Sequence, residues 1–228
     1  LEHHANLVPW HLVTKKIKII AAEIKDNGEL NYNDLIEKIN SKTKLIAISH
    51  MSNVTGSITN FEEISIKAKK YNIPILIDGC QFAPHKKLNI KELNPDFYVF
   101  SAHKLYGPSG LGILYMKDYW IDRLQPYQGG GSMIKEVETN RSTYSEGYQK
   151  FEAGTPPIAE VIGLSSSIDF INEIGIDNIY SHENELTKYA YEKLKSNDDI
   201  EIYGDFKNQT SIISFNIEGV HFNDLAML

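Results

Sequence analysis

Disulfides are excluded first: the 228 residues contain a single cysteine, Cys80, so no bridge within the chain can staple the fold. One thiol in an otherwise ordinary composition suits a reducing, cytoplasmic compartment. Long apolar runs are also missing. None approaches the roughly 20 residues that a membrane-spanning helix requires, and no membrane partner is expected. Basic residues are in deficit, with 23 Lys and Arg against 30 Asp and Glu. The formal charge of −7 and a pI near 5.6 argue against nucleic acid as the main partner. There is no internal repeat and no low-complexity tract. No set of His, Cys and carboxylate residues has a zinc-like spacing, so no metal is expected. Gly129-Gly-Gly131 lacks the following Gly-Lys-Ser/Thr of a phosphate loop.

What is present is typical of a globular protein, with 42% hydrophobic and 23% charged residues. A chain of this length can bury a substantial core. Its ends look unfinished. It opens at Leu1 rather than Met, inside what reads as a motif, and a new helical pattern starts at His221 and stops at Leu228. The sequence therefore reads as a piece of a longer protein, and the lack of a leader says nothing about targeting.

Periodicity predicts alternating strands and helices. A short helix is expected over 6–16, a strand over 17–22, a turn at Asp26-Asn-Gly28 and a helix over 32–41. A buried strand over 44–49 leads through a loop to a helix over 61–71, with Phe61, Ile64, Ala68 and Tyr71 on one face. The next strand covers 73–77 and ends at Asp78. Another loop and short helix precede a continuously apolar strand over 97–100, which suits cover on both faces. A strand over 112–116 follows after only a glycine-rich turn, so it should pair antiparallel with its predecessor. Regular periodicity fades from 125 to 155, a length that suits a functional or interfacial excursion. A helix over 158–174 carries Ile158, Ile162, Ser165, Ile168 and Ile171 along one face and is closed by Gly175. A second helix over 178–196 and two strands over 201–203 and 211–217 complete the chain. The expected class is α/β: a mixed, mostly parallel central sheet flanked by helices over 1–175, then a linking helix and the start of a small α+β domain over 176–228.

Three strand ends carry the chemistry. The first is followed by Asn53, the second by Asp78 and Gln81, and the third by Ser101, His103 and Lys104. In an α/β sheet such ends lie along one edge and line one crevice. A lysine held there, partly desolvated, can deprotonate near neutral pH and bond to a carbonyl cofactor. Pyridoxal phosphate needs that amine, a carboxylate for its ring nitrogen, a polar group for its phenolic oxygen, a flat partner and donors for its phosphate. Lys104 and Asp78 supply the first two. Gln81 and Asn53 can serve the phenolic oxygen or a substrate carboxylate, and Ser101 and His103 can hold the phosphate. Taken singly, each has an ordinary reading: Asp78 as a turn residue, Gln81 and Asn53 as loop polars, His3 and His4 as a solvated pair, Thr155 as a helix cap. The argument rests on the ordered set.

That set also resembles a known family. The matching segments are Glu2-His-His-Ala-Asn6 with Val8-Pro-Trp10, Ser49-His-Met-Ser-Asn-Val-Thr-Gly56, Asp78-Gly-Cys-Gln81 and Ser101-Ala-His-Lys-Leu-Tyr-Gly-Pro108 with Gly110-Leu-Gly-Ile-Leu-Tyr115. Gly129-Gly-Gly-Ser-Met133 and Phe151-Glu-Ala-Gly-Thr-Pro156 complete them. In this order they look like the Suf-type (group II) cysteine desulfurases and selenocysteine lyases, class V aminotransferases of pyridoxal phosphate fold type I. The resemblance implies that Lys104 carries the cofactor and shuttles the α-proton, and that His3 stacks on the ring. It implies that Asp78 partners the ring nitrogen, Gln81 the phenolic oxygen, and Asn53 the substrate carboxylate. Ser101 and His103 would hold the phosphate. Thr155 would reach the phosphate from the other subunit of a homodimer, with 129–133 near that interface. The implied reaction takes sulfur from L-cysteine, or selenium from L-selenocysteine, leaving L-alanine and an enzyme persulfide. That persulfide would pass to a sulfur-acceptor protein for iron–sulfur cluster assembly. The family's nucleophilic cysteine and its substrate-binding arginine would lie beyond Leu228, so these residues alone are expected to be inactive. Cys80, inside the cofactor-binding turn, reads as a structural thiol. Two alternatives stay open. One is another class V enzyme without a cysteine nucleophile (aminotransferase, epimerase or kynureninase-like), and the other is a non-catalytic scaffold.

Overall fold

The computed structural model describes residues 1–13, 17–204, 206 and 211–227. Its helices are α1 (Val8–His11), α2 (Tyr32–Lys38), α3 (Glu62–Tyr71), α4 (Ile90–Leu93), α5 (Asp118–Arg123), α6 (Ile158–Ile174), α7 (Ile176–Lys195) and α8 (Phe222–Met227). The main sheet has four strands in the order β1 (Ile46–Ser49), β2 (Ile75–Asp78), β3 (Phe97–Ser101), β4 (Gly112–Met116). The first three run parallel, and β4 returns antiparallel along β3. The mixed, mostly parallel sheet expected from the alternation of elements is the one observed.

One face of this sheet builds the core. Ile46 and Ile48, Ile75 and Ile77, and Tyr98 point the same way because side chains alternate along a strand, and the register sets Ile48 beside Ile77 and Ile77 beside Tyr98. They pack with Phe61, Ile64 and Ala68 at and within α3, and with Ile39 and Ile73. Each buried isoleucine stabilises the fold by about 1.5–3 kcal/mol. The sequence of α3 complements its dipole: Glu62 and Glu63 lie in the first turn, Lys69 and Lys70 in the last. It ends on Asn72, whose φ of 54° forms a left-handed C-cap.

Several expectations need correction. The stretch 17–22 is not a strand. Ile17 and Ile20 are 41% and 57% exposed, and the strand pairing nearby among the described residues is an isolated bridge between Ile24 and Leu30. Side chains hold this backbone instead: Lys38 Nζ donates to the Ala21 carbonyl at 3.0 Å, and the Glu23 N–H donates to Asp34 Oδ2 at 2.7 Å. The helix expected over 6–16 is a 3-10 turn, His4–Asn6, followed by the single turn of α1; residues 14–16 lie outside the described residues. β3 is tightly covered on one face only, since Tyr98 is buried while Phe97, Val99 and Phe100 are half-buried. In α6 the expected apolar face is mostly open: Ile171 is buried, but Ile158 and Ile162 are 59% and 65% exposed.

Within 125–155 the structure shows a hairpin, β5 (Ile134–Val137) with β6 (Ser142–Tyr144), and a 3-10 turn at Gly147–Phe151. Its strands are solvated, so they carry no apolar alternation to read. A two-pronged contact of Arg141 with Glu138, both bonds 2.9 Å, closes its tip. α7 begins at Ile176, directly after Gly175. β7 (Ile200–Tyr203) and β8 (Ser214–Ile217) form a separate antiparallel pair, with 207–210 outside the described residues.

One glycine is fixed by the core. Gly79 follows β2 and donates its N–H to the Val99 carbonyl at 2.8 Å, while the Tyr98 ring lies directly against its Cα. A Cβ on residue 79 would come within 2.1 Å of that ring. Tyr98 is fully buried and cannot swing aside. Gly79→Ala is therefore expected to destabilise the protein by about 3 kcal/mol or more, seen as a large fall in Tm by circular dichroism. A Tm within about 2 °C of wild type contradicts this packing.

Candidate active site

The parallel register decides what meets at the C-terminal edge of the sheet. Ser49 lies beside Asp78, and Asp78 beside Val99, with Ser101 two residues further along β3. All four share the sheet face opposite the isoleucine core. Asp78 is buried at 8% exposure, and its Oδ1 accepts from the Cys80 N–H at 3.0 Å. Among the described residues no cation pairs with it. The Cys80 thiol sits 3.7 Å from Ser101 Oγ. Burial pushes that thiol's pKa up, and the Asp78 carboxylate pushes it further; the Ser101 hydrogen bond and the Lys104 ammonium pull the other way. Asp78 and Lys104 thus both act on the Cys80 thiol, with opposite signs.

Lys104 ends the 3-10 turn Ala102–Lys104 that follows β3. It is half-buried and makes no salt bridge among the described residues. Ser101 is half-buried and His103 exposed. Gln81 and Asn53, both half-buried, occupy the loops after β2 and β1. The Asn53 loop is fixed by Ser52 Oγ, which accepts from the N–H groups of Val54 and Thr55 at 3.1 and 3.2 Å. Thr155 is exposed ahead of α6 and hydrogen-bonds to none of these residues.

His3 reaches the same edge through its neighbour. Glu2 Oε1 accepts from the Ser49 N–H at 3.0 Å, and Oε2 accepts from Ser49 Oγ at 2.9 Å and from Asn6 Nδ2 at 2.5 Å. β1 is an outer strand, so its free N–H needs a partner, and Glu2 supplies one. His3 is exposed, and its Nδ1 accepts from the Ala5 N–H at 3.1 Å. A neutral ring with that contact carries its proton on Nε2.

Beneath the edge, His50 joins the loops. Its N–H donates to the Asp78 carbonyl at 2.8 Å, and its Nδ1 lies 3.0 Å from the Tyr98 hydroxyl. Its ring stacks on Phe82 with centroids 3.5 Å apart and 8° between planes. Burial, aided by the charge of Lys86, lowers its pKa to about 3, so the imidazole is neutral. On the other side α6 supports the loop after Lys104. Ser167 Oγ donates to the Tyr106 carbonyl at 3.0 Å, and Phe170 meets the Tyr106 ring at 5.9 Å. Gly163 lets Pro108 approach so closely that a Cβ would lie 3.2 Å from its Cγ. These contacts hold Tyr106 at φ 58°, a left-handed conformation that a bulky residue rarely adopts.

Residues 1–228 in full match the family model described as Aminotransferase class-V. The chain belongs to the class-V aminotransferases. It is 41% identical over 230 residues to a protein of Xylella fastidiosa named "Probable cysteine desulfurase", covering 100% of this chain and 55% of that protein. It is 43% identical over 231 residues to a Staphylococcus aureus protein of the same name, covering 99% and 55%. Among solved structures it is similar to the apo cysteine desulfurase of Thermococcus onnurineus NA1, with TM-score 0.92 and 35% identity over 99% of this chain and 57% of that one. It is equally similar to the Escherichia coli cysteine desulfurase CsdA, with TM-score 0.92 and 33% identity over 100% and 57%. The chain spans about half the length of the curated relatives it matches.

In this class-V aminotransferase the structure gathers Asp78, Ser101 and Lys104 around Cys80. Asn53 and Gln81 lie on adjoining loops, and His3 is tied in beside Ser49. Two residues escaped the sequence reading. Glu2 had no assigned role, although a carboxylate beside a histidine pair was its available signal. His50 had no assigned role either, and nothing local marks it as buried. Among the described residues no helix is long and apolar enough to cross a membrane, and no cluster of His, Cys, Asp and Glu is placed to hold a metal.

The neutral His50 sets a pH dependence. Its pKa of about 3 in the folded state lies below the unfolded 6.5, so the unfolded chain takes up the proton first as pH falls. Its contribution to stability is intact above pH 6.5 and is lost as pH falls towards 3. Urea unfolding at pH 7 and 4.5 should show His50→Gln losing less stability over this interval than wild type, by up to about 2–3 kcal/mol. An equal loss in both proteins contradicts the assignment.

Proposed function

We propose that the protein is a pyridoxal-phosphate-dependent cysteine desulfurase. One observation carries the reading: among the described residues Asp78 is a buried carboxylate with no cation, and Lys104 is a half-buried amine with no anion, at the same sheet edge. Burying an unanswered carboxylate is costly, and a protonated ring nitrogen is the group that offsets it. The donors fit the rest of the cofactor. Lys104 would carry it, His3 would stack on its ring and Gln81 would serve its phenolic oxygen. Ser101 and His103 would hold its phosphate, joined by Thr155 of a second subunit. When bound, pyridoxal phosphate supplies the electron sink for a carbanion at the substrate Cα. The chain's own residues do the remaining work. Asn53 would hold the carboxylate of L-cysteine, Lys104 Nζ would take the α-proton, and Asp78 would pair with the ring nitrogen. The names of the relatives above support cysteine as substrate.

The substrate's C–S bond breaks, and its sulfur joins a cysteine thiolate as a persulfide, releasing L-alanine. Cys80 is a poor acceptor because burial and Asp78 both raise its pKa and it rests against Ser101. The accepting cysteine is then one outside these 228 residues. We assign 1–175 to the cofactor-binding domain and 176–228 to the start of a smaller one. A homodimer with shared sites is supported by the exposed apolar residues around Thr155, where Ile158, Val161 and Ile162 are 59%, 50% and 65% exposed. The same reading extends to L-selenocysteine as a second substrate and to delivery of sulfur to an acceptor protein for iron–sulfur cluster assembly. A cytoplasmic location agrees with the free thiol of Cys80.

Sulfide and alanine released from L-cysteine by the whole protein test the proposal. Lys104→Ala should lower turnover by about 10³-fold or more, while Cys80→Ser should keep it within about fivefold. No alanine from wild type, or loss of activity with Cys80→Ser, contradicts it.

A further inference from the structure

We infer that Glu2 is the positioning residue of His3, and that with Ser49 and Asn6 it forms a clamp fixing the imidazole at the sheet edge. This rests on the pyridoxal phosphate reading of the site. Among the described residues nothing in the sheet ladder holds the segment that carries His3. Its attachment is the Glu2 carboxylate, which takes three donors: the Ser49 N–H, the Ser49 hydroxyl and the Asn6 amide. Ser49 and Asn6 are each 7% exposed, so without Glu2 their donors would be buried and unsatisfied. The carboxylates of Glu29, Asp34 and Glu138 each pair with a lysine or arginine, whereas no cation pairs with Glu2 among the described residues. Its charge is answered by these hydrogen bonds, which are strengthened by it.

The geometry gives the clamp a consequence for His3. Glu2 and Asn6 bracket the 3-10 turn His4–Asn6 whose N-cap is His3, and the Ala5 N–H of that turn donates to Nδ1 of the His3 ring. Backbone and ring are therefore fixed by two separate sets of bonds, both referred to the end of β1. Ser49 in turn lies in register with Asp78. An imidazole that stacks on a flat cofactor must keep its plane, and an exposed side chain on an untethered segment would not. Glu2 thus acts on the cofactor through His3 and not by contact.

A double-mutant cycle in the whole protein separates this role from simple stapling. The readouts are the Kd of pyridoxal phosphate, titrated into cofactor-free protein, and the visible circular dichroism of the bound form. Glu2→Ala should raise Kd about tenfold and weaken the visible band, with Glu2→Gln, which keeps one acceptor oxygen, in between. In a His3→Ala background the same Glu2→Ala change should alter Kd by less than about twofold. An equal factor in both backgrounds, or no effect with His3 present, overturns the inference. Should Glu2→Ala not fold, Ser49→Ala removes one donor and enters the same cycle under the same criteria. A wild-type protein that gives no visible band with pyridoxal phosphate overturns the functional reading itself, and the inference with it, before any variant is made.

Discussion

A carboxylate buried without a cation is the constraint on which the rest of this structure depends. Transfer of such a group from water costs several kcal/mol unless hydrogen bonds or a charge answer it. Asp78 is put in that position by the parallel register, which sets it between Ser49 and Val99 at the end of the sheet. The isoleucine and Tyr98 core on the opposite face fixes the register, because a slip of one residue would turn Ile75 and Ile77 away from α3. Among the described residues the Cys80 N–H alone reaches the carboxylate from the backbone beyond. The remaining need is for a cationic partner, the role proposed for the ring nitrogen of a cofactor carried by the lysine at the next strand end.

The loops around Asp78 are held from unexpectedly distant parts of the chain. His50 and Phe82 stack to join the loops after β1 and β2, with Tyr98 beneath both. α6 fixes the loop after Lys104 through Ser167 and Phe170. α7 reaches the loop after β2, where His85 Nδ1 meets Glu183 at 2.8 Å and Lys86 Nζ sits 4.4 Å from the Tyr180 ring. Ser211 Oγ adds a bond to Glu183 at 3.0 Å, and Ser214 Oγ donates to the Val54 carbonyl beside Asn53. Residues late in the sequence therefore restrain the loops that carry the chemistry, as a supporting shell must if side chains are to keep their geometry.

Much of this is legible in the sequence. The isoleucine-rich strands, the faces of α3 and the antiparallel return of β4 follow from periodicity and a short turn, which are local properties. Lys104, Asp78, Gln81 and Asn53 were marked by their place just after strands. What escaped depends on long-range partners. The stretch 17–22 has strand composition, but no strand lies against it among the described residues, so Asp34 and Lys38 hold it instead. The hairpin of β5 and β6 is solvated and shows no apolar alternation. His50 looks polar in sequence and is buried only because Phe61, Phe82 and Tyr98 surround it. Glu2 gains its role from Ser49, a residue 47 positions away.

The central claim is that the amine facing this edge is the one that carries the cofactor. Borohydride reduction of the protein with pyridoxal phosphate, followed by proteolysis and mass spectrometry of the labelled peptide, addresses it most directly. The account predicts a single stoichiometric phosphopyridoxyl group on Lys104. Label on Lys86, Lys87 or another lysine, or no stable label at all, would contradict it.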